Sequence, residues 1–98
     1  MTVQHIVMLE FNQDVSNDER IKALKAVEAL KDKIKGIENI QSGKDFSGRG
    51  GNYTHAIIVT MRDKKVLASY GPHPAHKEVK EMLHPIVCNL GVIDFEPN

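Results

Sequence analysis

The chain has 98 residues, 41% of them hydrophobic, which suits one small globular domain with a modest core and excludes a disordered chain. Its 13 Lys and Arg balance 13 Asp and Glu. It therefore lacks the basic excess that nucleic acid or an anionic membrane surface selects, and it lacks the charge repulsion that would oppose self-association.

The single cysteine, Cys88, leaves no internal disulfide, as in a reducing compartment. No N-terminal stretch joins a basic flank to a long apolar run, so no signal peptide is expected. No apolar run approaches the ~20 residues of a membrane span. The expected location is the cytoplasm.

Val3 to Phe11 reads as a strand. Val3, His5, Val7, Leu9 and Phe11 alternate onto one face, and Ile6 and Met8 onto the other, so both faces call for cover. Ser16-Asn17-Asp18-Glu19 is a capping box, and the helix it starts is expected to run to about Lys35. Its apolar stripe is Ile21, Leu24, Val27, Leu30 and Ile34, and Gly36 suits the position after its end. Ile37 to Lys44 reads as a second strand. Ser47-Gly48-Arg49-Gly50-Gly51-Asn52 reads as a flexible loop, and it lacks the Gly-Lys-Ser/Thr ending of a phosphate loop.

Tyr53 to Met61 is the third strand, apolar on both faces at its centre. Asp63 suits the N-cap of a short helix through Tyr70, and a last helix follows Pro74. Val79, Met82, Leu83, Ile86 and Val87 continue its apolar pattern, with Pro85 expected to kink or end it. Asn89 to Phe95 is the fourth strand.

The order β-α-β-β-α-α-β predicts a ferredoxin-like α+β fold over residues 1–98, with a four-stranded antiparallel sheet. One sheet face takes the helices. The other carries Ile6, Met8 and Ile58 with nothing left to cover it, which predicts a homodimer packed sheet to sheet, a dimeric α+β barrel. Gln4-His5-Ile6-Val7-Met8-Leu9 resembles Thr54-His55-Ala56-Ile57-Ile58-Val59. In a ferredoxin-like sheet these two strands are expected to be central, adjacent and parallel, with His5 and His55 side by side near the same height.

Tyr70-Gly71-Pro72-His73-Pro74-Ala75-His76 concentrates a tyrosine and two histidines on a corner stiffened by two prolines. Tyr and His are the side chains that polarise a carbonyl or move a proton. The structural alternative is that Tyr70 packs over the sheet, His76 caps the last helix and His73 orders the Pro-His-Pro corner. His5 and His55 are either a satisfied polar patch in the core or part of a pocket lining. His84, before Pro85, is expected at the surface. No Asp or Glu joins the histidines at a metal-ligand spacing, so no metal site is expected.

His5 in the first strand, Gly43-Lys44-Asp45, Tyr53-Thr54-His55, His73-Pro74-Ala75-His76 and Val92-Ile93-Asp94-Phe95 together resemble the stress-responsive A/B barrel (Dabb) family over nearly the whole chain. The resemblance implies a dimeric α+β barrel. The family includes plant polyketide cyclases that close a poly-β-keto chain by aldol condensation without a cofactor. Their acid/base Tyr and His match Tyr70 and His76 here, and histidines matching His5 and His55 line their pocket. The corresponding first helix here offers Ile21, Ala23, Leu24 and Val27, with no aromatic wall. The resemblance thus implies Tyr70 and His76 as the catalytic pair with His5 and His55 in the pocket lining, and Val7, Leu9, Ile57, His73 and Val79 are expected to line the same pocket.

The function expected is binding of a small carbonyl-bearing or aromatic molecule between sheet and helices. A cofactor-free aldol cyclase, lyase or isomerase step would follow. The alternative is a non-catalytic stress-response or assembly protein. A cofactor-free monooxygenase shares the fold by analogy only, and the absence of Trp disfavours it.

Overall fold

Val3–Phe11 forms strand β1, which sits inside the sheet with a neighbour on each edge. A computed structural model describes all 98 residues. After β1 come α1 (Asn17–Glu28), β2 (Ile37–Lys44), β3 (His55–Met61), α2 (Lys64–Tyr70), α3 (Pro74–Leu83) and β4 (Val87–Phe95). The spatial order is β2-β3-β1-β4, and every neighbouring pair is antiparallel. This is the ferredoxin-like α+β arrangement. No helix is long and apolar enough to cross a membrane.

Local signals start each helix. Ser16 Oγ accepts a hydrogen bond from Glu19 N–H at 3.1 Å, and Asp63 Oδ1 accepts one from Val66 N–H at 3.1 Å. Helix α1 stops at Glu28 rather than Lys35, and Ala29–Asp32 tightens into a 3-10 turn that buries Leu30 completely. Ile21, expected on the buried stripe, is 43% exposed; Ala23, Leu24 and Val27 face the sheet instead. Gly36 takes φ +96°, and a Cβ there would stand 2.4 Å from Val66 Cγ2, so glycine is required by backbone and space alike. Asp45 accepts hydrogen bonds from the Ser47 backbone N–H and hydroxyl at 2.8 and 2.6 Å, which folds back the start of the glycine-rich loop.

The last helix ends earlier than its apolar pattern. Pro85 has no N–H to give and disfavours helix in the residue before it, so α3 stops at Leu83. Ile86 lies in the turn and Val87 opens β4, where both had been expected on the helix.

Strands β1 and β3 are adjacent but antiparallel, not parallel. Strand β2 runs parallel to β1 after the α1 crossover, and β3 reverses from β2, so it must oppose β1. His5 therefore pairs across from Val59, and His55 from Leu9. The two histidines share a face but lie four residues apart along the ladder, roughly 13 Å at ~3.4 Å per residue.

The core fills the space between that face and the helices, centred on the fully buried Val3, Leu9, Leu30, Val59 and Met61. The opposite face carries Ile6 and Met8 half-buried, with Ile58 38% and Ile93 54% exposed. Tyr53 crosses it against Gly91, where a Cβ would come within 2.7 Å of Tyr53 Oη.

Candidate active site

The site is built where α2 hands over to α3. Tyr70 is the last residue of α2 and is 5% exposed. The turn closes with His73 N–H donating to the Tyr70 carbonyl at 3.2 Å. His73 then N-caps α3, its Nδ1 accepting from Ala75 N–H at 3.1 Å, and Pro74 supplies the preset first-turn φ. Three residues on from the cap, His76 is carried back over Tyr70. Their ring centroids lie 4.1 Å apart with the planes tilted by 34°. Tyr70 also meets His5 of β1 edge-on, centroids 5.4 Å apart. One phenol is thus in contact with two imidazoles.

The hydrogen bonds fix proton positions. His76 Nδ1 stands 3.1 Å from the Gly71 carbonyl oxygen, which can only accept. Nδ1 is therefore the protonated nitrogen, and Nε2 carries the lone pair when the ring is neutral. Burial pushes the His76 pKa below its ordinary value, and the charges of Lys80, His5 and His73 push the same way against the opposing Gly71 hydrogen bond. Burial raises the Tyr70 hydroxyl to about 12. At neutral pH the pair is a neutral imidazole beside a protonated phenol, a base beside a hydrogen-bond donor. His5 Nδ1 pairs with Asp94 Oδ1 at 2.5 Å, directly across the β1–β4 ladder.

A cavity of about 260 Å³ opens between the sheet and α3, bordered by Tyr70 and His76. His5, Val7, Ile57 and Val79 also line it. Three other expected pocket residues lie elsewhere. Leu9 is fully buried in the core. His73 is committed to capping α3. His55 is at the far end of the sheet face, 2.8 Å from Thr54 Oγ1 through Nδ1 and edge-on to Phe11 at 5.1 Å, because the antiparallel register carries it away from His5. Arg20 lies over the Phe11 ring, 5.7 Å from its centroid. No three His, Cys, Asp or Glu side chains converge in a way suited to a metal ion.

Val27 lines the cavity from the first-helix stretch that the resemblance set at its wall, and Val59, Lys80, Leu83, Leu90 and Val92 also line it and were not among the expected residues. Two signals for them were present. Lys80 is four residues after His76, hence on the same helix face. Leu90, Val92 and Asp94 alternate onto one face of β4. Which β4 residues share the helix-side face of β1 depends on register, which sequence leaves open.

The histidine environments set a pH dependence of stability. His55 and His76 both titrate below 6.5 in the fold, His55 chiefly through burial and then through Arg20 and Lys44. The unfolded chain then binds more protons than the folded one just below pH 6.5, so stability is complete above that value and falls as pH drops through it. Asp45 and Asp63, lowered from 3.8, act only in a more acid window. Urea unfolding at pH 7.5 and 5.5 should show wild type losing stability and a His55→Gln/His76→Gln variant losing less. Equal losses would contradict the buried neutral histidines.

The profile of the stress responsive A/B barrel domain matches residues 3–97. Olivetolic acid cyclase from Cannabis sativa is 24% identical over 99 residues, covering 99% of this chain and 98% of the cyclase. A crystal structure of an Arabidopsis thaliana protein superposes with TM-score 0.92 at 28% identity, covering 98% and 95% of the two chains. Hydroxynitrile lyase from Passiflora edulis shares the fold with TM-score 0.91 at 18% identity, covering 99% and 94%. A dimeric ferredoxin-like protein from Jannaschia sp. CCS1 has TM-score 0.84 at 26% identity, covering 99% and 100%.

Proposed function

The chain belongs to the stress-responsive A/B barrel family, and from that premise we propose a homodimer that binds a small carbonyl compound and acts on it by cofactor-free acid/base catalysis. The observation that carries this reading is the Tyr70–His76 contact at 4.1 Å on the wall of one cavity. His76 Nε2 takes a proton from the carbon beside the carbonyl. The electron pair of that C–H bond moves into the enolate, whose oxygen accepts a hydrogen bond from the Tyr70 hydroxyl. The enolate carbon attacks a second carbonyl, and His76 returns the proton to the new alkoxide, giving an aldol product. The reverse sequence is a lyase step, and return of the proton to another carbon is an isomerisation. A cyclase of comparable length among the relatives supports this class of chemistry. The cavity lies below the ~300–1,000 Å³ usual for drug-sized ligands, which favours a compact substrate.

Exchange of α-protons for deuterium, followed by NMR on small ketones, β-keto acids, aldehydes and phenols that shift the thermal midpoint, tests the pair. Tyr70→Phe and His76→Ala should each slow exchange by roughly 10²–10⁴-fold while the protein stays folded. Exchange indifferent to both substitutions would refute the catalytic roles. It would favour the second reading, a non-catalytic stress-response or assembly protein, for which the wholly exposed Phe46 is a candidate contact.

The dimer is supported by the bare apolar face of Ile6, Met8, Ile58 and Ile93 and by the dimeric relatives. Sedimentation should find wild type at twice its 11.0 kDa chain mass and Ile58→Asp shifted toward a single chain. A wild-type monomer at micromolar concentration contradicts it.

A further inference from the structure

The cavity beside Tyr70 and His76 has one feature that proton transfer does not use. Its walls are aliphatic apart from His5, Tyr70, His76 and Lys80. Lys80 is exposed and also borders an adjoining groove of about 420 Å³ between α3 and β4, with Leu83 and Leu90 common to both. Lys80 thus stands where the two spaces meet.

Lys80 has no ion-pair partner. The chain's salt bridges join His5 to Asp94, Arg62 to Asp63 and Lys64 to Glu96. No carboxylate lines the cavity, and Asp94, which borders it through His5, is already engaged. An unneutralised cation above low-dielectric walls focuses a positive potential into the cleft. The depressed proton affinity of His76, to which Lys80 contributes, places that potential at the reacting end.

We propose that Lys80 is a specificity-determining residue that selects a substrate bearing a carboxylate as well as the reacting carbonyl, an aliphatic oxo acid. This inference rests on the proposed acid/base reading of Tyr70 and His76 and adds the substrate class. The valine and leucine walls hold the carbon chain, the carbonyl oxygen meets Tyr70, and the carboxylate meets the Lys80 ammonium in a charge-assisted hydrogen bond. An anion there also favours protonation of His76 once it has taken the α-proton, since opposite charges stabilise each other.

The test uses the full chain with 3-oxobutanoate, 4-oxopentanoate and 5-oxohexanoate against their methyl esters, reading Kd by calorimetry and α-proton exchange by NMR. Wild type should bind at least one acid about tenfold more tightly than its ester. Lys80→Glu should abolish or reverse that preference, and Lys80→Arg should keep it. Lys80 is exposed, so these variants are expected to fold, and an unchanged thermal midpoint checks it. Acids and esters bound alike, with exchange still dependent on Tyr70 and His76, would overturn the role of Lys80 and leave the acid/base reading standing. Failure of every acid and ester to bind or exchange would overturn both.

Discussion

The burial of the Tyr70 ring against His5 and His76 is the contact on which the site depends. It ties the end of α2, the first turn of α3 and the start of β1 into one cluster. Removing the phenol from water raises its pKa to about 12, so it donates a hydrogen bond rather than carrying charge. The same burial keeps the neighbouring imidazole neutral. One packing event therefore sets the protonation state of both side chains of the proposed proton-transfer pair. The Gly71 carbonyl, placed by the turn between the two helices, decides which imidazole nitrogen is free.

That cluster can form only because the chain reverses sharply over Gly71 to His73. Pro72 and Pro74 restrict the backbone on both sides of His73, and the His73 side chain satisfies an amide that the start of α3 would otherwise leave unpaired. The corner's structural and chemical readings are thus divided among its residues. His73 serves the backbone, while Tyr70 and His76 face the cavity.

Features determined within a few residues were legible in the sequence. They include the alternation of β1, the Ser16 and Asp63 caps, the glycine at position 36 and the proline corner. Features set by long-range pairing were not. The likeness between the segments around His5 and His55 reflects two central strands sharing an apolar pattern. Direction along the sheet is set by connectivity, and antiparallel pairing sends the two histidines to opposite ends. Asp94 lay within a segment that marked the family, but its contact with His5 needed the β1–β4 register. Lys80 is a basic residue in the last turn of α3. Its place at the cavity followed only when the helix was set against β4.

The most direct measurement is a nitrogen-15 NMR titration of the five histidine side chains, assigned by single substitutions. His76 should titrate below 6.5, with its neutral form protonated at Nδ1, and Tyr70→Phe should leave that tautomer in place because Gly71 fixes it. A His76 that titrates at or above 6.5, or holds its proton on Nε2, would contradict a half-buried imidazole poised beside Tyr70 to take a proton.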